Sequence, residues 1–227
     1  MQAIMETLFD VLYLTSVITA GLLLLRNNPR KSPSWSFGLM ALILGAGDAF
    51  HLVPRAYALM TDGLANHAVA LGRGKFITSL TMTIFYLVLY RILSQRYGKK
   101  NRGWDWAMGL FGLLRFGLCL MPQNRWTDAE GPLLWGILRN LPFAAMGILV
   151  MILAWKGAKE KEDAAFRPMG LAIFLSFLFY VPVVLWADRY PLVGILMIPK
   201  TLAYVWVVWM GFREYLQAQK NHQVPAL

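Results

Sequence analysis

Residues 11–25 read VLYLTSVITAGLLLL, and residues 26–34 read RNNPRKSPS. An apolar run closing on a loop that carries Arg26, Arg30 and Lys31 is the signature of a helix leaving a bilayer. The same alternation continues along the chain. Apolar spans fall at roughly 5–25, 35–58, 69–93, 104–121, 132–155, 167–187 and 190–214, each close to the ~20 residues that cross the hydrocarbon. They are joined by short polar stretches: SQRYGKKNRGWD, PQNRWTDAEGP, KGAKEKEDAAFRP and ADRYP. The composition agrees, with 58% hydrophobic and only 15% charged residues and a mean hydropathy of +0.50. Soluble domains are nearer half apolar and a quarter charged. The sequence therefore predicts an all-α polytopic integral membrane protein of seven transmembrane helices, one domain over residues 1–227.

The net charge of +10 is distributed as topology determinants, not as a nucleic-acid footprint, so no nucleic-acid partner is expected. Arg26, Arg30 and Lys31, then Arg91, Arg96, Lys99, Lys100 and Arg102, then Lys156, Lys159, Lys161 and Arg167, and finally Arg213 and Lys220 all fall on one side. The opposite loops hold Arg125 and Arg189. The positive-inside rule then places the N-terminus outside and the C-terminus in the cytoplasm of a cell inner or plasma membrane. The first span has acidic Glu6 before it and no basic leader, so it reads as a retained helix. Trp104, Trp106, Trp126, Trp155 and Trp186 lie near span ends, as an interfacial belt does. KEKED (159–163) reads as a solvated loop, and GRGK (72–75) lacks the spacing of a phosphate loop.

Charges left inside the spans are the functional signal, because each costs at least ~2.5–3.5 kcal/mol at the bilayer centre unless partnered or wet. They are Arg55, Arg73, Lys75, Arg115, Arg139 and Lys200, against the acids Asp10 and Asp48, with His51 beside them. Nearly all fall at the midplane or in the outer half. Asp48, His51 and Arg55 share one stripe of span 2; Lys75, Thr78, Ser79 and Met82 share one of span 3; Lys200 and Tyr204 share one of span 7. Stripes facing one another would line an outward-facing cationic pocket, with Tyr180 of span 6 among its residues. Asp48 would pair with Lys75 or Lys200, and the cationic surplus suggests a small anionic or lipid-like ligand carrying a phosphate or carboxylate.

Span 2 (DAFHLVPRAYA) and span 6 (SFLFYVPVVLWA) align on Pro54 and Pro182, which sets Asp48 opposite Ser176. Spans 1–3 and 5–7 then read as a parallel 3+1+3 duplication around a linking fourth helix, and substrate sites often lie at such repeat interfaces. Asp48 and His51 offer two metal ligands where a catalytic zinc takes three. No H-E-x-x-H or G-x-S-x-G motif occurs, and the single cysteine, Cys119, has no base nearby. No metal or other cofactor is expected.

GAGDAFHLVPRAY (45–57) resembles the motif around the first aspartate of the YhhN-type lysoplasmalogenase family, approximately L-G-D-A-L-x-L-L-P-R. Gly47, Asp48, Ala49, Leu52, Pro54 and Arg55 match, and FITSLTMTIFYLVLY resembles that family's next helix. The resemblance implies a multi-helix membrane hydrolase that cleaves the vinyl-ether bond of lysoplasmalogens, releasing an aldehyde and a glycerophospho-headgroup. The motif aspartate maps to Asp48, a candidate general acid, with His51 beside it as the second catalytic candidate; basic neighbours would hold the phosphate. The chain departs from that family in two ways. A second aspartate, expected in an S-D pair of span 6, is replaced by Phe177 after Ser176, and the family commonly has more helices. The sequence thus leaves three readings open: a lysoplasmalogenase-like lipid hydrolase, a receptor or sensor, or a small-solute transporter. The residues expected to serve the site are Asp48 and His51 as catalytic groups, with Arg55, Lys75, Arg115, Arg139, Tyr180, Lys200 and Tyr204 as ligand-binding ones.

Overall fold

In the computed structural model the described residues are 2–98, 101–128, 131–187 and 189–223. They form seven α-helices: α1 (Gln2–Asn27), α2 (Pro33–Met60), α3 (Ala68–Tyr97), α4 (Arg102–Leu120), α5 (Leu133–Glu160), α6 (Met169–Trp186) and α7 (Met197–Gln223). The described residues include no strand. The helices begin and end where local chemistry dictates. Ser32 caps α2 by accepting from the Trp35 amide at 3.1 Å, with Pro33 at the first helical position. Gly98, at φ 64°, ends α3 in the left-handed conformation. Asn101 caps α4 by accepting from Gly103 and Trp104.

Six of the helices are long and apolar enough to cross a membrane. The remaining one, α4, carries Arg102, Asp105 and Arg115 but turns Trp106, Leu110, Leu113, Leu114 and Leu120 outward. Its 19 residues rise about 28 Å, close to the ~30 Å hydrocarbon thickness. The charge that lowers its hydropathy, Arg115, is only 2% exposed and points into the bundle.

The helices pack in the order α1–α2–α3–α5–α6–α7, with α7 returning to α1 and α4 lying along α3 and α5. Two three-helix groups therefore meet through α3–α5 and α7–α1, the arrangement expected of a 3+1+3 parallel repeat. The groups are not equal: α7 also packs on α2, and α6 has 18 residues where α2 has 28. Pro54 and Pro182, which defined the repeat, both lie inside unbroken helices.

Lipid gives helices no hydrophobic reason to associate, so close packing has to supply it. The Gly72–Gly74 pair shows how close. A β-carbon on Gly72 would stand 1.5 Å from the Trp126 carbonyl oxygen, and one on Gly74 would stand 2.3 Å from that of Phe50. GRGK thus packs α3 closely on two sides, Gly74 on α2 and Gly72 on the connection between α4 and α5. Trp126 is half-buried, donating from Nε1 to the Cys119 carbonyl near the end of α4 at 2.9 Å.

Opposite ends of the bundle are closed by different charges. At the end where α3 and α7 finish, Arg96 donates to both oxygens of Asp163, at 2.5 and 3.1 Å, and to Glu214 at 2.7 Å. Its guanidinium lies 3.9 Å over the Phe166 ring. KEKED is therefore not wholly solvated: its last residue, Asp163, has a side chain only 12% exposed. Partial burial acts to raise the Asp163 carboxyl, but the Arg96 guanidinium outweighs it and holds the group below its usual value. This depressed carboxyl contributes stability that is complete above its unfolded value of about 3.9 and disappears as the pH falls through its lower folded value. Replacing Arg96 with Met should lower stability by about 2–4 kcal/mol at pH 7, because two carboxylates lose their partner. Thermal unfolding in detergent, followed by tryptophan fluorescence, should show this loss at pH 7 and a smaller one at pH 3.

Candidate functional site

The described residues gather a polar centre around the middle of α2. Gly47 lies against Thr81, where a β-carbon would stand 2.0 Å from Oγ1. Thr78 donates to the Gly47 carbonyl at 2.9 Å. With that face pressed on α3, the neighbouring Asp48 turns toward α1 and α7. Tyr13 of α1 donates to Asp48 Oδ2 at 2.6 Å, and Lys200 of α7 acts electrostatically on the same carboxylate. Of the two partners expected for Asp48, the structure brings Lys200.

Lys200 is steered by two aromatic faces, its Nζ lying 4.5 Å from the Tyr180 ring centroid and 5.6 Å from that of Tyr204. Tyr180 donates to Asn140 Oδ1 at 3.0 Å. The same oxygen accepts from Arg115 Nη1 at 3.2 Å. Two polar chains thus enter the bundle interior, one from Tyr13 on α1 to Asp48 and one from Lys200 through Tyr180 and Asn140 to Arg115 on α4, and the Lys200 charge acts on the Asp48 carboxyl between them. Beneath them Tyr86 and Tyr204 meet hydroxyl to hydroxyl at 3.3 Å, with the buried Ser176 beside them.

Exposure differs between the two ends of the centre. Asp48, Asn140, Tyr180 and Lys200 each keep part of their surface accessible, as do Glu6, Asp10 and Arg55 toward the start of α1. The layer toward the Arg96 end is sealed, with Phe85 and Tyr86 at 0%, Ser176 at 1% and Tyr204 at 3%. Phe143 and Phe177 complete this floor, packed at ring-centroid distances of 5.0 and 5.8 Å from Tyr86. On the outer side of α1 and α7 lies an apolar groove of about 410 Å³, whose lining includes Leu12, Ser16, Ala20, Val205 and Trp209. Val17 and Val208, both almost fully buried, separate it from the interior.

The residues expected to serve the site divide accordingly. Asp48, Lys200, Tyr180, Tyr204 and Arg115 come together. Arg55 is instead paired with Glu6 at 3.0 Å. Arg139 borders the centre but is turned to Asn124 Oδ1 at 3.0 Å and lies 4.4 Å from the Trp126 ring centroid. His51 lies where α2 crosses Gly74 of α3, and its buried Nδ1 has no hydrogen-bond partner. Lys75 and Arg73 lie on exposed surface, so the expected span 3 stripe does not bring a cation into the centre. The large cationic surplus read from the spans contracts accordingly, because Arg55 has its acid and two of the other cations face outward.

Sequence reasoning missed Tyr13, Asn140 and Glu6. Tyr13 lies one turn after Asp10 on the same face, and Asn140 is an amide in an otherwise apolar span; both were signals. Among the described residues no three His, Cys, Asp or Glu side chains gather in a metal-binding cluster. Comparison with protein-family models, with curated proteins and with solved structures finds no match.

The geometry makes Asp48 and Lys200 energetically interdependent. Asp48→Asn and Lys200→Met should each destabilise the fold by about 2–4 kcal/mol, since each strands a charge inside the bundle. The double variant should recover ~1–3 kcal/mol relative to the sum of the two. Thermal unfolding of the three variants in one detergent measures this coupling, and strictly additive losses would mean the two groups do not interact.

Proposed function

We propose that this multi-pass membrane protein hydrolyses a lysoplasmalogen-type lipid, with Asp48 as its general acid. The observation that carries the reading is the setting of Asp48. It is a part-buried carboxyl at mid-helix, oriented by Tyr13 and neighboured by Lys200, within the stretch that matches the family motif. The polar groups toward the start of α1 suit a substrate entering from the outer leaflet in the orientation that the loop charges favour, with the C-terminus cytoplasmic.

Vinyl-ether hydrolysis breaks no bond until a carbon is protonated. Protonated Asp48 delivers its proton to the β-carbon of the vinyl ether, and the electron pair left on oxygen stabilises the cation that forms. The carboxylate then accepts a proton from water as that water attacks the α-carbon. The resulting hemiacetal collapses to an aldehyde and the glycerol hydroxyl, so water is consumed and the carboxyl is regenerated. One carboxyl suffices because it alternates between acid and base. This reading needs no second aspartate at position 177, where Phe177 packs instead against Tyr86, their ring centroids 5.8 Å apart. Tyr13 and Lys200 would stabilise the intermediate carboxylate by hydrogen bond and charge. His51, where α2 crosses α3, is then a neighbour and not a participant.

Purified protein incubated with a lysoplasmalogen should release long-chain aldehyde, and Asp48→Asn should reduce that release by about 10²-fold or more. No release from the unaltered protein, or release that survives the substitution, would refute the reading. A second reading, a receptor or transporter for an anionic ligand, is favoured by one specific feature: the buried Arg115 has only neutral partners.

A further inference from the structure

Arg115 is among the largest fully buried side chains of the bundle. Its Nε reaches the Ser79 carbonyl at 3.5 Å, and its Nη1 reaches the Arg139 carbonyl at 3.4 Å and Asn140 Oδ1 at 3.2 Å. The guanidinium also lies 3.7 Å over the Phe143 ring. All four partners are neutral, and all three hydrogen bonds are at the long end of the normal range. Arginine keeps its proton in proteins, so a full positive charge is enclosed with dipoles alone to balance it. The carboxylate of the centre, Asp48, is already opposed by Lys200 and bonded by Tyr13. Arg115, Lys200 and Asp48 together are therefore short by one negative charge.

Asn140 marks where that charge belongs. Its Oδ1 accepts from Arg115 on one side and from Tyr180 on the other, the position a carboxylate oxygen would take in a complete ion pair. Tyr180 in turn lies under Lys200. Asn140, Tyr180 and Lys200 all retain accessible surface, so an anion can approach these three although Arg115 itself is buried.

We infer that the space beside Asn140, Tyr180 and Lys200 binds a monovalent oxyanion, whose charge completes the balance of Lys200 and Arg115. A phosphodiester or a monoanionic phosphate has the chemistry required: several acceptor oxygens, one charge to supply, and a geometry suited to a guanidinium fork beside an ammonium. The oxyanion can be free or carried on an amphiphile. If carried, it deepens the lipid reading of the same centre by naming what holds the headgroup; if free, it stands without any hydrolysis by Asp48.

The test is ligand-dependent thermal stability in a maltoside detergent at constant ionic strength, with chloride as the background anion. The probes are inorganic phosphate, lysophosphatidylglycerol and an uncharged monoacylglycerol of the same chain length. The unaltered protein should gain several degrees, saturably, with phosphate or with lysophosphatidylglycerol, and not with the monoacylglycerol. A response to phosphate identifies the free ion as sufficient, and a response confined to the lysophospholipid identifies the headgroup. Asn140→Asp, which builds the missing charge into the chain, should unfold at a higher temperature without ligand and bind at least about tenfold more weakly. Lys200→Gln should weaken binding by a similar factor, and it serves alone if Asn140→Asp fails to fold. No response of the unaltered protein to either anion would overturn the inference. So would an equal response to the uncharged lipid, or unchanged affinity in either variant. Aldehyde is not read here, so a protein that binds the oxyanion yet releases no aldehyde loses only the hydrolase reading.

Discussion

A charge inside a lipid-embedded bundle has no water to turn to, and the chain must supply its partners from other helices. The Asp48 carboxylate meets that constraint with Tyr13 from α1 and Lys200 from α7. Those partners fix much of the architecture around it. Their helices must approach α2 together, which they do, since α2 packs on α1, α3 and α7. The remaining face of α2 is free to press on α3 through Gly47 and Gly74. Small residues make room for the contact, and the polar groups orient it.

The same constraint divides the molecule along its length. Toward the Arg96 end, aromatic rings and aliphatic side chains fill the interior, and the charges wait until the loops, where Arg96 ties α3 to Asp163 and Glu214. Toward the start of α1 the interior carries Asp48, Lys200, Asn140 and Tyr180, with Arg55 paired to Glu6. One end is a packed apolar floor and the other carries the buried and half-buried polar groups. Chemistry or binding belongs where dipoles and charges are already paid for by the fold, above that floor.

Much of this was legible in the sequence, for a physical reason. Apolar runs of bilayer length and basic loops are local properties, so the seven helices and their ends follow from counting. The depth of a charge within its span is also local, which is why Asp48, Lys200 and Arg115 stood out. The direction a side chain faces is not local. Lys75 shares a helical face with Thr78, yet its side chain lies on exposed surface while the Thr78 hydroxyl reaches α2. Arg55 looked like surplus charge because Glu6, 49 positions away, counted as a pre-helix residue; α1 in fact begins at Gln2 and includes it. Nothing local says that the loop of Trp126 folds back onto the Cys119 carbonyl. Tyr13 and Asn140 were overlooked because uncharged polar residues raise no alarm in a hydropathy profile, although they complete the network.

The claim on which everything else rests is that the polar centre around Lys200 is reachable from the end where α1 begins and sealed from the end where α3 and α7 finish. Cysteine accessibility measures it directly. With Cys119 replaced by Ser, a single cysteine at position 180 is placed in protein reconstituted in vesicles of known orientation and exposed to a membrane-impermeant thiol reagent from one side at a time. Labelling from the α1 side, with protection from the other, is the predicted result. Labelling from the Arg96 side, or equal protection from both, would contradict it.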